Sequence, residues 1–195
     1  MTVHADSIER PTISAALSER GRHVFALVIL TILAATLTMR TGRLGFMPLD
    51  QSIIFDGGWR VLSGQVPLAD FYTPTGLVPV LIQGAIFEIA GVSWSAYVFH
   101  AAVLNVLFAV LVYAMLRSLF GWSWLALYFA LISAYFMYPP MGTPYTDQHA
   151  LIFTYLTLCL FLWGCHHLAS GERWRHLFLC IYLQVFVTRP CRCCI

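Results

Sequence analysis

Long apolar runs, at residues 24–39, 76–90, 95–116, 122–138, 149–168 and 177–187, divide this chain, and charged side chains fall almost entirely between them. A run of about 20 such residues matches the roughly 30 Å hydrocarbon core of a bilayer. Only helices or closed barrels satisfy their backbone polar groups there. With 59% hydrophobic and 10% charged residues, the composition is that of an integral membrane protein. The net charge is +2 and no basic run is present, so nucleic acid is excluded as a partner.

The polar stretch at 50–76 breaks this pattern. It holds Asp50, Asp56, Asp70 and Arg60, with Pro67, Pro74 and glycines at 57, 58, 64 and 76. A connection of about 25 residues is longer than two neighbouring helices need, which marks it as functional or disordered. Ile53, Ile54, Phe55, Trp59, Val61 and Leu62 recur at helical spacing, so the stretch is expected to form a helix lying in the membrane interface.

Residues 1–23 are polar and read as a cytoplasmic tail leading into an uncleaved first helix. Run 76–90 is short and interrupted by Pro79, Gln83, Gly84 and Glu88. If it crosses the bilayer, Arg117 lies outside; if it stays in the interface, Arg117, Arg173 and Arg175 share the inner side with the N-terminal arginines. The positive-inside rule favours the second arrangement. The expected fold is therefore all-α and polytopic. It has about four complete transmembrane helices, a partial fifth, and two juxtamembrane helices in the first outer loop. Asp50, Asp56, Asp70 and Asp147 then share one outer face. Run 177–187 stops at Arg189 and Pro190, and 189–195 is an aberrant cysteine-rich tail, so 24–188 is expected to be a truncated transmembrane module. Cys159, Cys165 and Cys180 sit in apolar runs as small hydrophobes. Cys191, Cys193 and Cys194 lack the spaced second half of a zinc pattern.

Asp50 and Asp147 each precede an apolar or amphipathic helix and read either as helix caps or as carboxylates positioned for chemistry at the membrane rim. Arg43 and Arg60 read either as interfacial anchors or as phosphate ligands. Tyr72, Tyr138 and Tyr145 read as aromatic-belt anchors.

From Asp50 to about residue 168 the chain resembles the N-terminal module of GT-C membrane glycosyltransferases, a superfamily that includes dolichyl-phosphate-mannose–protein mannosyltransferases and aminoarabinose transferases. The matching residues are Asp50, Trp59 to Gly64, Pro67, Asp70, Phe71, Pro74 and Gly76, then Phe87, Gly91 and Ser93. Leu116, Arg117, Leu119, Phe120 and Gly121 follow, and Thr146 with Asp147 complete the set. Gln51 stands where many members carry a second acid, and no lysine occupies 72–75. The resemblance implies sugar transfer from a polyprenyl-phosphate-linked donor to an acceptor on the outer face of the inner or plasma membrane. Asp50 would then act as base or metal ligand and Asp147 would orient acceptor or metal. Arg60, Arg43, Asp70 and Tyr72 would contact substrate. A divalent metal held by Asp50 and Asp147 is the only cofactor suggested, and membrane lipid is the expected surroundings. The competing readings are an inactive fragment and a non-enzymatic membrane component, such as an assembly partner or small transporter subunit. Against transport, no ionisable residue occupies the middle of a clear span.

Overall fold

A computed structural model describes residues 13–45, 51–121, 123–138 and 142–169. These form α1 (Ile13–Gly42), α2 (Gln51–Leu62), α3 (Leu77–Ala90), α4 (Trp94–Phe120), α5 (Ser123–Met137) and α6 (Thr146–Ala169). No strand occurs among the described residues, where the one extended pairing is an isolated bridge between Pro67 and Phe71. Asp50, the partial span at 177–187 and the tail at 189–195 lie outside the described residues.

Two of the described helices are long and apolar enough to cross a membrane: α1 over Glu19–Gly42 and α4 over Trp94–Phe120. The expectation of four complete spans is met only in part. α5, read as a full span at 122–138, has 15 residues, about 22 Å at 1.5 Å per residue against a core of roughly 30 Å. α1 departs in the other direction. It begins at Ile13, inside the stretch read as a polar tail, where Ala15, Ala16, Leu17, Glu19 and Arg20 all favour helix.

α4 is the hub, packing against α1, α3, α5 and α6. Two stripes of mostly small residues allow this. Ala26, Leu30, Ala34 and Thr38 are buried at four-residue spacing on α1, as are Ala126, Ala130 and Ala134 on α5. Residues four apart share a helix face, and small side chains let backbones approach closely where lipid supplies no hydrophobic drive. The opposite side of α1 exposes Val24, Phe25, Val28, Ile32 and Leu33.

Asn105 ties three helices together. Its Nδ2 donates to Thr38 Oγ1 at 2.8 Å and to the Ala134 carbonyl at 3.1 Å, joining α1, α4 and α5. The helix directions follow from the ends. Trp94 Nε1 donates to the Gly42 carbonyl at 2.8 Å, while Tyr113 and Arg117 meet His23 near the start of α1. α1 and α4 are therefore antiparallel, and residues 43–93 leave and rejoin the pair at one end. That hairpin end carries α2, α3 and the loop before α6; the opposite, tail end carries Glu19, His23 and Arg117.

Several residues behind the family resemblance prove to be helix punctuation. Ser93 caps α4 by accepting from the Ala96 N–H at 3.1 Å. Gly121 ends the same helix in the left-handed conformation, with φ 72°, a backbone state that costs glycine little. Gly91 donates to the Phe87 carbonyl at the end of α3.

Candidate functional site at the hairpin end

α2 and α3 pack through a seam of glycines. A Cβ on Gly57 would lie 2.9 Å from Val80, one on Gly58 2.5 Å from Gln83, and one on Gly84 2.9 Å from Val61. Aromatic rings fasten the pair to α4. Phe55 meets Phe87 edge-on at 5.0 Å between centroids and Tyr97 at 5.3 Å, a geometry that adds to their area burial.

Beside this hairpin lies an open cavity of about 210 Å³ lined by Ile53, Asp56, Gly57, Arg60, Phe71, Tyr72 and Thr73. Arg60 Nε donates to Asp56 Oδ2 at 2.7 Å, one helical turn away. The guanidinium also stands 5.5 Å over the Phe71 ring. Its Nη1 reaches Gln65 Oε1 only at 3.5 Å. The head group is thus held in place while N–H groups on its outer edge remain available to an anion.

The structure brings some of the expected site residues together and separates others. Arg60 and Tyr72 line one cavity, and Tyr72 is exposed. Asp70 is not among the lining residues and has a structural task. Its Oδ2 accepts from the Val66 N–H at 2.7 Å and its own N–H donates to the Val66 carbonyl at 2.8 Å, closing a tight loop. Leu68, at the tip of that loop, takes the unusual φ of 69°. Arg43 and Asp147 do not line the cavity. Arg43 is exposed just past Gly42, whose backbone packs against Gly142 in the loop before α6. Asp147 is not the cap of α6. It is exposed within the first turn, where a carboxylate meets the positive end of the helix dipole. The proposed metal pair cannot be described, because Asp50 lies outside the described residues. Among those residues no group of three or more His, Cys, Asp or Glu side chains could hold a metal.

Behind the hairpin runs a buried polar chain that the sequence did not reveal. His100 Nδ1 lies 2.8 Å from Gln83 Oε1, His100 Nε2 lies 3.1 Å from His149 Nε2, and His149 Nδ1 donates to the Tyr145 carbonyl at 2.6 Å. Gln83, which suggested an interfacial or re-entrant helix, is fully buried at 0% exposure. His100 also qualifies the argument against transport, since it is an ionisable residue inside α4, although near its start. The available signal was a lone imidazole in an apolar run, which requires a polar partner somewhere in the fold.

Searches against protein-family models, curated proteins and solved structures match nothing.

Proposed function

We propose that this chain is a membrane glycosyltransferase module whose α2–α3 hairpin receives the phosphate of a polyprenyl-phosphate-linked sugar at the outer membrane surface. The observation that carries this reading is the Arg60 guanidinium, anchored by Asp56 and Phe71 at the edge of a cavity that also offers the exposed Tyr72 hydroxyl. A planar cation with an adjoining hydroxyl suits phosphate oxygens, and an aromatic wall suits a sugar ring. Antiparallel α1 and α4 put the tail and the hairpin at opposite ends of the pair, and the arginines at 10, 20, 22 and 117 favour the tail end as the cytoplasmic one. The same geometry supports a multi-pass arrangement in which residues 76–90 do not cross. In this reading Asp50 takes the acceptor's proton and Asp147, which does not line the phosphate cavity, orients the acceptor.

Binding of a polyprenyl phosphate to the purified chain in detergent tests this, read by the change in tryptophan fluorescence, to which Trp59 on α2 contributes. Arg60→Ala should weaken binding about tenfold or more, the loss of one charge-assisted contact, while the uncharged polyprenol binds both proteins alike. Equal phosphate binding by wild type and variant would return the chain to the non-enzymatic reading. The topology is checked separately by labelling cysteines placed at Ser93 and Ser118 in a cysteine-free chain. Ser93 should react from outside and Ser118 only from inside.

A further inference from the structure

His100 and His149 are 0% and 2% exposed, and each presents Nδ1 to an oxygen, Gln83 Oε1 at 2.8 Å and the Tyr145 carbonyl at 2.6 Å. A neutral imidazole carries one N–H. When both rings donate to these oxygens, both Nε2 atoms keep their lone pairs, and these face each other across 3.1 Å. Two lone pairs so placed repel unless a Lewis acid joins them.

This is the arrangement that metal-ligating histidines adopt. The ring nitrogen away from the metal donates to a carbonyl or carboxylate, which fixes the tautomer and turns the other nitrogen inward. Two imidazole nitrogens bound to tetrahedral zinc at 2.0–2.1 Å stand about 3.3 Å apart. The observed separation of 3.1 Å is within a few tenths of an ångström of that value. We propose that His100 and His149 form an open two-imidazole site for a divalent transition-metal ion of the zinc class. Gln83 and the Tyr145 carbonyl hold the rings in register.

The ligand chemistry narrows the ion. Imidazole nitrogen suits zinc, cobalt, nickel and copper, whereas magnesium and calcium require oxygen ligands. With two protein ligands, the remaining coordination positions go to water, hydroxide or another small oxygen donor. Gln83 Nε2, Thr143 Oγ1 and Gln148 Oε1 are buried at this end without a hydrogen-bond partner among the described residues. Such groups ordinarily find one in a bound water or ligand. The site would join α4 to α6 with α3 as support, independently of the transferase reading.

The experiment uses the 195-residue chain in detergent with Cys191, Cys193 and Cys194 replaced by serine, so that the terminal thiols do not compete. Cobalt(II) is titrated in, and the visible absorption of the bound ion is followed. One equivalent should bind, and zinc should displace it. His100→Gln and His149→Gln should each abolish the signal. Gln83→Leu, which removes only the supporting oxygen, should weaken binding about tenfold or more. His23→Gln, at the tail end, should change nothing. If the two histidine variants fail to fold, Gln83→Leu against wild type decides alone. No cobalt signal in wild type, or equal affinity in the folded variants, overturns the site. So does imidazole nitrogen NMR showing an Nε2–H on either ring with zinc present, because a shared hydrogen bond would then occupy the gap.

Discussion

The two ends of the α1–α4 pair handle polarity in opposite ways. At the tail end Arg117 Nη2 donates to Glu19 Oε1, and both side chains reach solvent, at 27% and 50% exposure. Arg117 also donates to His23 Nε2 at 3.2 Å, so that nitrogen is an acceptor, and the 3.6 Å approach of His23 to Glu19 is not where the ion pair resides. At the hairpin end Gln83, His100, His149 and Thr143 are buried, and where they have partners these are one another and the Tyr145 carbonyl. Water can replace a lost partner at the tail end. Bulk water does not reach the buried groups of the hairpin end, where one left without any bound partner carries its desolvation cost of about 1–3 kcal/mol. Specific geometry should therefore be concentrated at the hairpin end, and tolerance to change at the tail.

Glycine substitution should separate the ends most sharply. Gly142 has φ 61°, and a Cβ there would run into the backbone of Thr41 and Gly42. Gly142→Ala combines an unfavourable backbone state with a clash that no rotamer relieves, and should cost about 3 kcal/mol or more. Gly21, near the tail end, has nothing within 4 Å of a built Cβ and sits inside α1. Gly21→Ala should stabilise by about 0.5–1 kcal/mol, the helix-propensity gain. Thermal unfolding in detergent reads both, and a shared sign would dissolve the contrast.

Asn105 lies between the ends and belongs energetically with the buried one. Asn105→Leu removes the bonds to Thr38 Oγ1 and to the Ala134 carbonyl. The expected loss is about 1–2 kcal/mol, the upper range for side-chain hydrogen bonds between membrane helices. Thr38→Val in the same background should cost less than it does alone, since the two share one bond. Strict additivity would show that they act separately.

How much of this could be read from the chain depends on the range of the signal. Apolar periodicity placed α2, α3 and α4, because each reports a local environment that its own residues select. The α5 boundary was less legible, since an apolar run records solvent preference and not helix length. The Arg60–Tyr72 cavity was partly visible as a polar stretch between membrane segments. Asp70 looked like a site residue because acidic loop positions serve both chemistry and turn closure, and only the 2.7 Å contact to Val66 distinguishes them. His100 and His149 are 49 residues apart, and nothing local to either points to the other. Gly42 and Gly142 pose the same difficulty, since their close approach exists only once α1 and the loop before α6 have met.

At the hairpin surface, outside the buried chain, Arg60 resembles the tail-end ions. The Asp56–Arg60 pair is 54% and 37% exposed and one turn apart. Arg60→Ala should cost stability only about 0.3–0.5 kcal/mol, the value of an exposed helix pair. A strong effect on phosphate binding with so little effect on unfolding would mark Arg60 as a ligand and not a brace. Comparable losses in both would assign it to the fold.

The smallest effect should come from the tail-end ion pair itself. Glu19→Gln keeps the length of the side chain and a hydrogen-bond acceptor for Arg117 while removing the charge. Glu19 is half exposed, so water screens the attraction and the expected loss is a few tenths of a kcal/mol. That residue should also carry a salt dependence. Raising the ionic strength toward 1 M shortens the screening length to about 3 Å, and the wild type should then approach the variant. The buried contacts at Asn105 should not respond, because they are uncharged and screened from the electrolyte. A salt-independent loss of 1 kcal/mol or more at Glu19 would place this ion pair among the specific contacts and leave the two ends alike.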